Sequence, residues 1–178
     1  MSEAKRLFVT PGRCIGCRGC EIACAFAHPV RRPGGHRPSD QPGKSRIRTF
    51  PMSAERHVPV VCLQCEEAAC QAVCPTGALQ RNEASGAIEV LTERCVRCMM
   101  CVVACPFGNV HDEPAMREIV KCDLCGGDPA CAKFCPTAAL EYAVRPTRNP
   151  PPKPLHSVAG GTRGQMAGAV STTGPSVR

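Results

Sequence analysis

The 178-residue sequence holds no tryptophan, one tyrosine and five phenylalanines. With aromatics at 3% of residues, a large aromatic core is excluded, and a chain so poor in core material needs staples to stay folded. No apolar run approaches the roughly 20 residues that span a bilayer, so direct insertion into a membrane is not expected. The opening MSEAKRLFVTPGRC has no stretch of signal-peptide character. Arg31-Arg32 runs into Pro33-Gly34-Gly35 rather than into the apolar segment of a twin-arginine export signal. A cytoplasmic location is therefore the expectation, in a compartment that keeps thiols reduced.

What the chain has in excess is cysteine, sixteen residues in all. Cys95, Cys98, Cys101 and Cys105, in CVRCMMCVVACP, are spaced by three, three and four residues, and Pro106 follows. That spacing is an iron–sulfur ligand run: three thiols on one loop wrap a cubane, and the fourth, a helical turn later, serves a second cluster. Three further runs repeat it. Cys14, Cys17, Cys20 and Cys24 keep the spacing but have Ala25 where the proline would be. Cys62, Cys65, Cys70 and Cys74 carry two extra residues before the third cysteine and end in Pro75; Cys122, Cys125, Cys131 and Cys135 carry three extra and end in Pro136. The four runs use every cysteine, and sixteen thiolates at four per cluster make four [4Fe-4S] clusters.

Other uses of cysteine fit less well. A disulfide scaffold belongs to secreted chains. A structural zinc site closes on four local ligands, whereas this run splits three and one, and no histidine accompanies the thiols. His28, His36, His57, His111 and His156 are scattered, none at a ligand spacing, and Met99-Met100 reads as packing against a cluster. The formal charge of +7 counts each cysteine as neutral. Ligating thiols are deprotonated, so four oxidised clusters contribute about −8 and bring the loaded protein near −1. The basic side chains then read as counter-charge and interface, and without stacking aromatics among them no nucleic-acid partner is expected.

In chain order, residues 6–10 read as an edge strand entering the first loop, where Gly16 and Gly19 let backbone N–H groups approach the cluster sulfurs. Residues 29–56 turn to Pro, Gly, Ser and the basic Arg31, Arg32, Arg37, Lys44, Arg46, Arg48 and Arg56. This basic insertion is either a solvated loop or a docking arm, with a strand at 46–50. Strands at 78–80 and 87–90, joined through 82–86, make the second and third runs look like a two-cluster bacterial ferredoxin. Further strands are expected at 109–111, 118–121 and 139–143. From 145 onward there is no acidic residue; RPTRNPPPKP leads into a Gly/Ala/Ser/Thr-rich tail that cannot build a core and is expected disordered alone, or extended on a partner or a neighbouring copy.

Together, CIGCRGCEIAC (14–24), CLQCEEAACQAVCPTGAL (62–79), CVRCMMCVVACPFG (95–108) and KCDLCGGDPACAKFCPTAAL (121–140) resemble the successive motifs of the four-cluster ferredoxin-like electron-transfer subunits. Such subunits accompany molybdenum or tungsten enzymes, hydrogenases and carbon monoxide dehydrogenases. The resemblance covers residues 5–143 and implies an α+β fold of tandem pseudo-twofold bacterial-ferredoxin-like units. One unit is discontinuous, 1–28 plus 112–144; the other is 57–111, with the insertion at 29–56 and the tail at 145–178. Spacing alone leaves the sharing of clusters open. The resemblance implies ligand sets of Cys14, Cys17, Cys20 and Cys135; Cys122, Cys125, Cys131 and Cys24; Cys62, Cys65, Cys70 and Cys105; and Cys95, Cys98, Cys101 and Cys74.

With thiolate at every position no iron is open to substrate, so the expected role is non-catalytic: a wire between a catalytic subunit and a second redox partner, a flavin subunit or a ferredoxin. A tungsten- or molybdenum-dependent aldehyde or formate oxidoreductase is the first expectation for the catalytic subunit, a hydrogenase or carbon monoxide dehydrogenase the second. Self-association through the tail is a further expectation. A sensor or cluster scaffold is the reading from another class, and four complete ligand sets weigh against it.

Overall fold

A computed structural model describes residues 5–30 and 42–144. Its elements are short: four α-helices and four antiparallel two-stranded sheets. The strands are β1 (Arg6–Val9), β2 (Arg48–Pro51), β3 (His57–Val60), β4 (Leu79–Arg81), β5 (Ile88–Val90), β6 (Val110–Glu113), β7 (Glu118–Lys121) and β8 (Leu140–Ala143). The helices are α1 (Gly19–Ala27), α2 (Ala69–Ala72), α3 (Met100–Ala104) and α4 (Ala130–Lys133). In every run the third cysteine is the second residue of a helix: Cys20, Cys70, Cys101 and Cys131.

Pairing ties the two ends of the described residues together. β1 lies antiparallel to β8, with Val9 opposite Leu140, and α1 packs on α4. Between them, β4 pairs with β5 and α2 packs on α3. Two cores result. One gathers Cys20, Cys24, Ile47, Val61, Cys131, Cys135 and Leu140; the other gathers Leu79, Ile88, Cys101, Val110 and Ile119 with Cys65, Cys70, Cys74, Cys95 and Cys105 against it. The largest fully buried side chains are Ile88, Leu124, Leu140 and Val110, so thiols and small aliphatics fill the space that aromatics occupy elsewhere.

The strand expected at 46–50 lies at Arg48–Pro51 and has a partner that the sequence reading placed beyond the insertion, β3. The boundary expected at 56/57 thus falls in the turn of one hairpin. Ile47 and Thr49 are buried, at 3% and 7% exposure, and Ile47 joins the first core, so this part of the insertion packs against the protein while residues 50–56 stay exposed. Likewise the boundary expected at 111/112 falls inside β6, whose hairpin with β7 places Val110 and Ile119 in the second core. Arg31, Arg32, Arg37 and the tail lie outside the described residues, as do His36 and His156.

Candidate iron–sulfur centres

The four CxxC loops share a backbone shape. The residue before the second cysteine is left-handed in each: Gly16 at φ +69°, Gln64 at +50°, Arg97 at +51° and Leu124 at +54°. For the three that are not glycine this costs about 1–2 kcal/mol each, strain of the kind that concentrates at functional sites. At Gly16 a Cβ would also come within 2.7 Å of the His57 ring, so glycine is required there twice over. Gly19 carries no such demand: a Cβ would meet Cys17 Sγ at 3.7 Å, an ordinary contact.

The sixteen thiols are all free, and they gather across runs. Cys20 lies within electrostatic reach of Cys135; Cys131 lies within reach of Cys122, Cys24, Cys125 and Cys20. A cavity is lined by Cys62, Cys65 and Cys70 of the second run and Cys105 of the third. Cys101 senses Cys95 and Cys98, and Cys74 packs into the same core. Cys14 packs against the first core, while Cys17 and Cys98, the second cysteines of the first and third runs, are the exposed members of the sixteen. Thiols in groups of this kind, with no disulfide among them, suit soft iron and sulfide as a donor set.

Burial pushes the thiols of Cys20, Cys70 and Cys131 up, Cys101 to about 11 and Cys122 to about 12. Iron must displace those protons, so binding releases them and is favoured by rising pH. Cys24 and Cys74 move the other way. Burial would raise each, but at Cys24 hydrogen bonds from His28 and the Arg46 backbone prevail, and at Cys74 those of the Thr76 hydroxyl and nearby backbone N–H groups.

Several residues around the thiols escape a reading by spacing. The Arg46 N–H donates to Cys24 Sγ at 3.3 Å, and Thr49 Oγ1 lies 3.5 Å from Cys20 Sγ. His28 sits between two runs, Nδ1 3.8 Å from Cys24 Sγ and Nε2 4.0 Å from Cys125 Sγ, with Nε2 donating to Asp123 Oδ1 at 3.0 Å. Asp123 also accepts from Arg46 Nη1 at 2.7 Å and from the Cys125 N–H at 2.9 Å. Burial would raise the Asp123 carboxyl, yet His28 and Arg46 hold it well below the usual carboxylate range. The same carboxylate, with the two thiols, lifts His28 to about 11 against its own burial. His28 follows Cys24 by one helical turn and Asp123 follows Cys122 directly; that adjacency was the available signal.

Exposed apolar side chains lie near both exposed cysteines along the chain. Ile22, Phe26 and Phe134 line a groove with Ala130 and with Gly19, which lies two residues along the chain from Cys17, and Val96, Met100 and Val103, within five residues of Cys98 in sequence, are exposed. No helix among the described residues is long and apolar enough to cross a membrane.

Short strands, short helices and grouped thiols define small ferredoxin-like 4Fe-4S domains. Residues 54–145 match the family model of a 4Fe-4S dicluster domain, and residues 11–27 that of a 4Fe-4S binding domain. The chain is similar to the aliphatic sulfonate oxidoreductase polyferredoxin-like subunit of Pyrococcus furiosus, 41% identical over 130 residues, 72% of this chain and 70% of the relative. It is similar to the electron transport protein HydN of Escherichia coli, 38% identical over 146 residues, 72% and 81%. The thiosulfate reductase electron transfer subunit PhsB of Salmonella typhi is 37% identical over 137 residues, 73% and 70%. The chain belongs to this family of iron–sulfur electron-transfer subunits and binds [4Fe-4S] clusters.

Proposed function

We propose that the chain holds four [4Fe-4S] clusters and carries electrons through them between a catalytic oxidoreductase subunit and a second redox partner. The observation that carries this reading is the cavity lined by Cys62, Cys65, Cys70 and Cys105, three thiols of one run and the fourth of another. The nearness of Cys20 to Cys135 and of Cys131 to Cys24 supports the same three-plus-one division in the discontinuous unit. The ligand sets are then Cys14, Cys17, Cys20 and Cys135; Cys122, Cys125, Cys131 and Cys24; Cys62, Cys65, Cys70 and Cys105; Cys95, Cys98, Cys101 and Cys74. Cys122 and Cys62 lie within electrostatic reach of one another, which supports an order with their two sets inside and the sets of Cys17 and Cys98 at the ends. The apolar faces at those ends suit protein partners.

The clusters supply one-electron transfer; the chain spaces them, keeps them dry and donates hydrogen bonds to their sulfurs. Saturation by thiolate leaves no iron open to substrate, so turnover belongs to the partner. Relatives named as subunits of sulfonate oxidoreductase and thiosulfate reductase support a catalytic redox partner. Our first choice is a tungsten or molybdenum aldehyde or formate oxidoreductase, then a hydrogenase or carbon monoxide dehydrogenase.

The test is anaerobic purification from the native host with iron and sulfide analysis, EPR and identification of co-purifying subunits. About sixteen irons per chain are expected, with a molybdenum or tungsten subunit alongside. Cys62→Ser with Cys105→Ser should remove one cluster, and Cys122→Ser with Cys105→Ser should remove two. Zinc in place of iron, an iron content near eight, or equal losses from the two double variants would overturn the reading.

A further inference from the structure

Lys121 ends β7 and is 3% exposed. Its ammonium donates to Ile88 O at 2.5 Å, to Cys122 O at 3.0 Å and to Gln64 Oε1 at 3.3 Å. Three N–H groups thus meet three acceptors, and all three acceptors are neutral. Among the described residues no carboxylate comes within ion-pair distance of it. Lysine is almost never this buried unless its charge is paired, so its hydrogen bonds are satisfied while its charge is not.

The surroundings show where the missing negative charge belongs. Lys121 lines the cavity of Cys62, Cys65, Cys70 and Cys105, and it immediately precedes Cys122 in the chain. Gln64, 4% exposed and left-handed between Cys62 and Cys65, completes the join. Its Nε2 donates to Cys122 O at 2.8 Å, and its Oε1 accepts from the Ile88 N–H at 2.9 Å as well as from Lys121. One buried cation is therefore locked by neutral partners at the boundary between two thiol groups, and it favours the thiolate at both Cys70 and Cys122.

We infer that Lys121 is the built-in counter-ion of the two inner clusters, a positioning residue that raises their potentials relative to the end clusters. The inference rests on the four-cluster reading above. A fixed positive charge beside a cluster stabilises its reduced, more negative form, and with little water between them the effect is not screened away. Electrons entering at either end then meet a lower-energy middle. Gln64 holds the ammonium between the two thiol groups without neutralising it, whereas a glutamate in its place would neutralise it.

The experiment is an EPR-monitored redox titration of the full chain, with iron analysis, for wild type, Lys121→Met, Lys121→Arg and Gln64→Glu. In Lys121→Met two of the four clusters should move to lower potential while two stay, and Lys121→Arg should keep the wild-type pattern. Gln64→Glu, which sets a carboxylate against the ammonium, should lower the same two. Four intact clusters with no movement in Lys121→Met or in Gln64→Glu, or equal movement of all four, would overturn the inference. If Lys121→Met loses iron, retention in Lys121→Arg supports the need for charge, and equal loss in both overturns it. Fewer than four clusters in the wild type would show first, sinking the four-cluster reading and this inference with it.

Discussion

At Cys74 and Cys105 the chain stops its helix and turns at once, while at Cys24 the helix runs on. In the first two places a proline follows, the carbonyl of the cysteine accepts from the Gly77 or Gly108 N–H at 3.2 and 3.1 Å, and those glycines take φ of +61° and +60°. The next N–H, of Ala78 or Asn109, then reaches the cysteine sulfur at 3.2 or 3.4 Å. Cys135 and Pro136 begin the same turn, with Ala138 at φ +51°. With Ala25 instead of proline, α1 continues for nine residues to Ala27, where α2, α3 and α4 have four or five. Cys24 therefore cannot receive its donor from its own turn. It receives the Arg46 N–H from 22 residues away and the His28 imidazole from the extended helix. One missing proline thus makes Cys24 depend on the insertion for a sulfur donor, while Cys74 and Cys105 take theirs from their own turns.

The largest effect should come from erasing that difference. Ala25→Pro removes an interior helical hydrogen bond and clashes with the preceding turn, a cost of about 3 kcal/mol or more. It displaces His28 and the Gly43 N–H that Ala25 O accepts at 3.0 Å. Iron should fall toward half in the purified chain, with EPR signals lost from the clusters of the first and fourth runs. Pro106→Ala should lose little iron, since Gly108 still supports the turn. Equal losses in the two variants would show that the dependence on the insertion is not real.

A smaller effect should appear where the insertion leans on the second core. His111, in β6, is 6% exposed and accepts from Arg48 Nη2 at 2.6 Å, which requires a neutral imidazole. Burial, then the charges of Arg48 and Lys44, lower it from 6.5 to about 4. A depressed histidine is stabilising in its neutral form, so its contribution is complete above pH 6.5 and is lost as pH falls toward 4. The sum at stake is on the order of 3 kcal/mol. The Tm of the loaded protein should drop between pH 7 and 5, and His111→Gln should flatten that slope. An unchanged slope in His111→Gln would place the acid sensitivity elsewhere.

The thiol spacing made the clusters legible, and the strands at 78–80 and 87–90 followed from the turn residues at 82–86 between them. β3 was not legible because HVPV has proline at its centre, which argues against a strand inside a sheet. A two-stranded hairpin has only edges, and Pro59 is tolerated there opposite Thr49. Lys121 was hidden for another reason: lysine reads as surface, and the burial of this one is set by Gln64 and Ile88, 57 and 33 residues earlier. His28 was passed over because Asp123, its partner, lies 95 positions away. Local rules gave each ligand run; the charges that surround the runs are assembled by tertiary packing.

The smallest effect concerns what holds the two regions together. Arg6, in β1, pairs with Glu66, in the loop of the second run, at 2.7 Å, with side chains 49% and 80% exposed. In water such a pair gains little over its hydration and loses side-chain freedom, so Glu66→Gln should leave Tm within error at low and high salt. The buried contacts carry the join instead: Asn109 Nδ2 donates to Val61 O at 3.0 Å, and Gln64 Nε2 donates to Cys122 O at 2.8 Å. Asn109→Ala would leave the Val61 carbonyl without that donor in a buried site and should cost about 1–3 kcal/mol, read as a fall in Tm. A salt-dependent drop in Glu66→Gln that matched the loss in Asn109→Ala would mean that surface charge sets the relation of the two thiol groups.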